Sequence, residues 1–195
     1  MGYVIFYNYD YYSENLIEIL YLWQGGLSFH GGLLGIVTAA IIISKFYKTT
    51  FFEISDLICV SAPVGIFFGR ISNFINGELF GRPSNFLIGM KFPNADNQYR
   101  HPSQLYEAFL EGLLLFIILN FLIFKFKKLK NPGIISGVFL MLYGLFRFTV
   151  EFTREPDIQL GFVYHFFTMG MILSLPMFLA GILILVIKSI KNDTR

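Results

Sequence analysis

The run GRISNFINGELFGR, residues 69–82, sets Arg70, Asn73, Asn76, Glu78 and Arg82 beside some of the most apolar sequence in the chain. Polar and ionisable groups at the edge of a bilayer are costly to keep, so such a cluster points to a site that binds something or does chemistry. Arg70, Asn73 and Asn76 recur every three residues and share a face if they are helical. Gly77, Gly81 and Pro83 then break the helix into a loop. Arginine supplies a planar fork of donors suited to phosphate, and asparagine amides can donate to the same oxygens. The run therefore reads as a lipid-headgroup site. The alternative is a re-entrant loop that these residues cap and tie down without a ligand.

Outward from this run, the composition is that of a membrane protein. Of 195 residues, 55% are hydrophobic and only 14% charged, and the mean hydropathy is +0.61. A soluble domain carries about 25% charged residues. The expected fold is an all-α polytopic transmembrane protein, one integral membrane domain with five spans at about 31–47, 55–69, 108–126, 133–152 and 166–187. Spanning takes about 20 apolar residues. The third, fourth and fifth stretches satisfy that; the first is marginal, and the second is short unless it runs on into the polar motif.

Lysines orient these spans. Lys45 and Lys48 follow the first, Lys125, Lys127, Lys128 and Lys130 the third, and Lys188, Lys191 and Arg195 the fifth. The positive-inside rule places those ends in the cytoplasm, which leaves the N-terminus outside and the C-terminus inside. Arg70, Arg82, Arg100 and Arg154 fall in or beside outward-facing segments, against that bias, which marks them as candidates for function. With a formal net charge of +2 and no long basic run, the sequence offers nothing to a nucleic acid.

The opening residues, MGYVIFYNYDYYSE, lack the basic region and small-residue cleavage site of a signal peptide. They read as the last turn of a helix that begins upstream, so an N-terminally truncated chain or a split gene is expected. Cys59 is the only cysteine, which rules out an intrachain disulfide and a thiol metal cluster and fits a small buried thiol in an apolar span.

Three further segments converge on the outward side. In LSFHGGLLG, residues 27–35, His30 precedes Gly31, Gly32 and Gly35 at the mouth of the first span. Histidine is the side chain best able to take up a proton near neutral pH, although at a helix end it also serves as a cap or interface residue. In RHPSQLYEAFLEG, residues 100–112, Pro102 fits the first helical position. Glu107 and Glu111 lie four apart on one face and are expected to pair with an arginine of another helix. In YGLFRFTVEFTREPD, residues 143–157, Tyr143, Arg147, Glu151 and Arg154 form a polar stripe in which Arg147 can bridge to Glu151. The stripe should face a cavity, or else hold a purely structural ion pair. His30, His101 and His165 are scattered without ligand-like spacing, so neither a metal nor another cofactor is expected.

These segments carry a resemblance that covers nearly the whole chain. GYVIFYN at 2–8, GGLSFHGGLLG at 25–35, the GRxxNFxNGExxGR pattern at 69–82, RHPSQLYEAFLEG, YGLFRFTVEFTREPD and MGMILSLPM at 169–177 occur in the order of the prolipoprotein diacylglyceryl transferase family, which the sequence resembles. Ser72 is a mild departure, standing where that pattern has glycine or alanine.

The resemblance implies a multi-pass enzyme of the bacterial cytoplasmic (inner) membrane. It would transfer the diacylglyceryl group of phosphatidylglycerol to a cysteine thiol in a prolipoprotein signal peptide, forming a thioether and releasing glycerol phosphate. Since the thiolate is the nucleophile, a base must take the thiol proton, and His30 is the candidate. Arg70 and Arg147 are the candidates for stabilising the departing phosphate, supported by Asn73 and Asn76. Glu78, Glu151 and Arg154 would orient them, and Tyr143 belongs to the same substrate-binding set. Base and clamp roles could be shared or exchanged. The resemblance also implies helices ahead of Gly2, so this chain alone is expected to be inactive or weak without a complementing upstream fragment. The rival readings are a catalytically dead remnant that binds phosphatidylglycerol or partner subunits, and a lipid or anion transporter, which an internal repeat would favour and which the sequence lacks.

Overall fold

A computed structural model describes residues 29–156, 162–163 and 167–193. The aromatic N-terminal stretch, Gly25, Asp157, His165 and Arg195 lie outside the described residues. The chain divides into two compact units, residues 1–54 and 55–195.

Within the first unit, helix α1, Phe29–Phe46, contains Gly31, Gly32 and Gly35 in its first two turns. It stops where Lys48 turns to a left-handed φ of 55°. Helix α2, Phe51–Ile75, begins at a capping box. Thr50 Oγ1 accepts from the Glu53 amide at 3.3 Å, and Glu53 Oε2 accepts from the Thr50 amide at 2.9 Å. This reciprocal pair satisfies two donors that a helix start otherwise leaves open.

The second unit holds most of α2 and everything after it. Helix α3, Ser103–Phe126, includes a π-helical segment, Ala108–Leu114. Pro102 is its N-cap rather than its first helical residue. Helix α4, Ile134–Val150, starts after Gly133, whose φ of 98° suits glycine, and helix α5 runs Met169–Asp193. Between α4 and α5 a short antiparallel pair, β1 (Phe162–Val163) and β2 (Phe167–Thr168), departs from the all-α expectation.

Two devices hold the unit together. Asp56, 1% exposed in α2, reaches across to the start of α4. It accepts from the Gly133 amide and the Ser136 amide at 2.8 Å each, and from Ser136 Oγ at 2.5 Å. The orphan donors of one helix are thus satisfied by an acid from another, where the helix dipole favours negative charge. Along the α4–α5 seam, a Cβ on Gly144 would stand 2.8 Å from Phe178 N, and one on Gly181 would stand 2.7 Å from Gly137 O. Glycines let the two backbones approach closely, as small residues do between membrane helices. Leu115, Leu119 and Ile135 form the fully buried core, with Cys59, Leu142 and Tyr143 packed against it.

Five spans were expected; among the described residues three helices are long and apolar enough to cross a membrane, namely Phe51–Ile75, Ser103–Phe126 and Met169–Ile190. The expected second span is longer because the capping box starts it earlier and Arg70 and Asn73 remain helical. The first and fourth are shorter apolar helices, Gly31–Phe46 and Ile134–Val150. The fourth ends early because the chain after Val150 turns back to pair Arg154 with Gly81.

Candidate active site

Helices α2, α3 and α4 bring a buried cluster of charge together inside the second unit. Arg70 of α2 places Nε 2.6 Å from Oε2 of Glu107 on α3. Glu107 Oε1 in turn lies 3.2 Å from Arg147 Nη1 and 3.9 Å from Arg154 Nε. Arg147, on α4, also reaches Glu111 Oε1 at 3.6 Å and Glu151 Oε2 at 3.0 Å. Arg154 Nη1 closes the set 3.6 Å from Glu151 Oε2. The expected pairing of Glu107 and Glu111 with arginines of other helices is present, as is the bridge from Arg147 to Glu151.

Glu107, Glu111 and Glu151 are 1%, 0% and 2% exposed, so they must be neutralised by the cluster itself. Three arginines face three carboxylates. The pairing is nevertheless loose. Glu107 Oε1, both Glu111 oxygens, Arg147 Nη1 and Glu151 Oε2 are buried without an aligned hydrogen bond. Atoms held by nearby charge rather than by directed bonds can exchange partners, which suits this part of the cluster to a ligand phosphate.

The remaining predicted residues make no ion pair in this cluster, although Tyr143 lies close enough to interact with Glu111 and Arg147. Asn73 and Asn76 do not join Arg70; both donate through Nδ2 to Glu78 Oε1, at 3.0 and 3.2 Å. Those two amides hold the Glu78 carboxyl below its ordinary range. Glu78 therefore closes the loop after α2, and its backbone carbonyl accepts from Gln104 Nε2 at 2.6 Å. Tyr143 stacks on Phe139, with ring centroids 5.7 Å apart. His30 lies in the first turn of α1, and its side chain is outside the described residues.

Arg82 and Arg100, singled out for their outward placement, organise backbone. Arg82 donates through Nε to Arg154 O at 2.8 Å and through Nη2 to Glu151 O at 3.4 Å, capping the end of α4. Arg100 pairs with Asp96 at 2.8 Å and Glu155 at 3.0 Å and donates to Gly81 O at 3.1 Å.

Sequence reasoning missed two contributors. Gln104 is fully buried one turn before Glu107, and its Oε1 has no hydrogen-bond partner. Gly170 of α5 packs so close to Glu151 that a Cβ there would stand 2.6 Å from the carboxyl carbon. The i, i+3 spacing of Gln104 and Glu107 was a readable signal, whereas nothing near Gly170 announces an acid. Among the described residues no three His, Cys, Asp or Glu side chains gather to hold a metal ion.

Comparison with known proteins gives this arrangement a context. The chain matches the family described as prolipoprotein diacylglyceryl transferase over residues 1–187. It is 50% identical over 195 residues to a phosphatidylglycerol–prolipoprotein diacylglyceryl transferase of Rickettsia bellii (strain OSU 85-389), covering 100% of this chain and 74% of that one. Proteins with the same name from Rickettsia felis and Rickettsia africae are 52% and 54% identical over 181 residues, covering 93% of this chain and 70% of each of theirs.

Proposed function

Because this chain belongs to the prolipoprotein diacylglyceryl transferase family, we propose that it is a membrane transferase that moves the diacylglyceryl group of phosphatidylglycerol to the lipobox cysteine of a prolipoprotein signal peptide. The observation that carries this reading is the buried meeting of Arg70 and Arg147 on Glu107, at the junction of three helices. Two guanidinium groups held within reach of one carboxylate can also straddle one phosphate.

The thiol proton leaves to a base, for which His30 is the residue we assign. The thiolate sulfur attacks the glycerol carbon that bears the phosphate. A carbon–sulfur bond forms as the carbon–oxygen bond breaks, and the electron pair departs with glycerol phosphate. Negative charge grows on that phosphate, and Arg70 and Arg147 stabilise it more in the transition state than in the ground state. Glu151 and Arg154 fix the Arg147 fork, while Asn73, Asn76 and Glu78 shape the loop at the mouth, with Tyr143 lining the site. In this reading the protein sits in the bacterial inner membrane with the site facing outward, the start of this chain outside and its C-terminus cytoplasmic, as the lysine placement supports.

Thioether formation on a lipobox peptide with labelled phosphatidylglycerol in liposomes tests the assignment. Transfer by the parent chain should collapse in His30→Ala and Arg147→Ala. Folded parent protein that transfers nothing would favour the rival reading, a catalytically dead remnant that binds phosphatidylglycerol.

A further inference from the structure

Glu111 is the buried acid that the transfer chemistry leaves without a task. Its only ion pair among the described residues is with Arg147 Nη1 at 3.6 Å, and neither oxygen has a hydrogen-bond partner. Glu107 and Glu151 are held more closely, at 2.6 and 3.0 Å. Glu111 lies in the π-helical segment Ala108–Leu114, and such segments are rare and concentrate at functional sites. The next residue, Gly112, packs against α2 so tightly that a Cβ would stand 2.9 Å from Phe67 Cα, which closes the site to solvent on that side.

The charged and titratable groups facing Glu111 are known by element. Arg70 comes from α2, Glu107 from α3 itself, and Arg147 and Tyr143 from α4, with Glu151 and Arg154 just beyond its end. Helix α5 adds Gly170 beside Glu151, which does not titrate. Counted as ionised, the arginines and carboxylates cancel. A phosphodiester headgroup would bring one further negative charge into a space that excludes water, where an unbalanced charge is costly. Of the three acids, the one with the weakest hold is the one most easily neutralised by a proton.

Resting on the reading that an anionic phospholipid is the substrate, we propose that Glu111 is a positioning residue that couples binding of the lipid headgroup to uptake of one proton. The phosphate takes over Arg147 Nη1, and Glu111, released from that arginine, takes up a proton that a buffer acid in bulk solvent gives up. The O–H bond made on Glu111 replaces the bond to hydrogen broken in the buffer acid, whose conjugate base keeps the electron pair, and the cluster with its bound lipid is neutral before and after.

Calorimetric titration of the full chain in detergent with short-chain phosphatidylglycerol, repeated in buffers of different ionisation enthalpy, counts protons directly. Wild-type protein should take up about one proton per lipid bound, and Glu111→Gln should bind the lipid with an uptake near zero. Binding without uptake in the wild type, or equal uptake in the variant, overturns the inference while leaving the proposed substrate standing. No binding by folded wild type overturns both. If the variant does not fold, difference infrared spectra of the wild type decide instead. A protonated-carboxyl band that appears with phosphatidylglycerol supports the coupling, and an unchanged carboxyl region overturns it.

Discussion

Two buried polar knots sit in the same unit and are built on opposite terms. At one end, Asp56 takes three short hydrogen bonds from Gly133 and Ser136, which occupy both of its oxygens. At the other, six charged side chains crowd together and five of their atoms lack an aligned partner. A buried polar group that is fully bonded specifies structure; one that is held only by nearby charge retains the freedom to bind. The contrast separates what keeps α2 on α4 from what those helices present to a ligand.

The largest expected effect breaks or confirms that separation at the charged end. Arg147→Lys keeps the charge but removes the planar fork, so the transfer rate should fall by about 10²–10³-fold. The thermal midpoint in detergent should move little, because the cluster stays neutral. A large drop in the midpoint with an intact rate per folded molecule would reverse the assignment.

At the capping end the opposite pattern is expected. Asp56→Ala leaves the Gly133 and Ser136 amides buried without an acceptor, which should cost about 1–3 kcal/mol, read as a lowered midpoint in detergent. Transfer per folded molecule should stay near the parental value. Loss of rate without loss of stability would show that the two knots are not separable.

The smallest effect lies in the exposed loop. The Arg100 guanidinium holds the Asp96 carboxyl below its ordinary range. A depressed acid contributes stability above its unfolded pKa and loses it as pH falls through the depressed folded value. Protease cleavage in the 84–99 loop should therefore be unchanged by mild acid and rise only under strong acid. Asp96→Asn should show the raised cleavage already at neutral pH.

Much of the charged site was legible because its members repeat at helical spacing. Tyr143 and Arg147 announce one face of α4, Glu151 and Arg154 continue that spacing past its end at Val150, and Glu107 with Glu111 announces one face of α3. Arg70, by contrast, looked continuous with Asn73 and Asn76, and it was not. The helix ends at Ile75, so Asn76 leaves the helical face and turns with Asn73 toward Glu78. The membrane character was plain from composition, but span lengths were not. Capping chemistry at Thr50 and the turn after Val150 decide those lengths, and neither follows from hydropathy. Asp56 was invisible as a cap because its partners lie 77 and 80 residues further along. No local pattern reports a contact of that reach.

That reach bears on how the protein is made. Asp56 leaves the ribosome 77 residues ahead of Gly133, so α2, long and apolar enough to cross a membrane, is made carrying an acid whose two amide donors have not yet been synthesised. An apolar surrounding is costly for that acid until the later helix arrives, so the early helix depends on a partner made 77 residues after it.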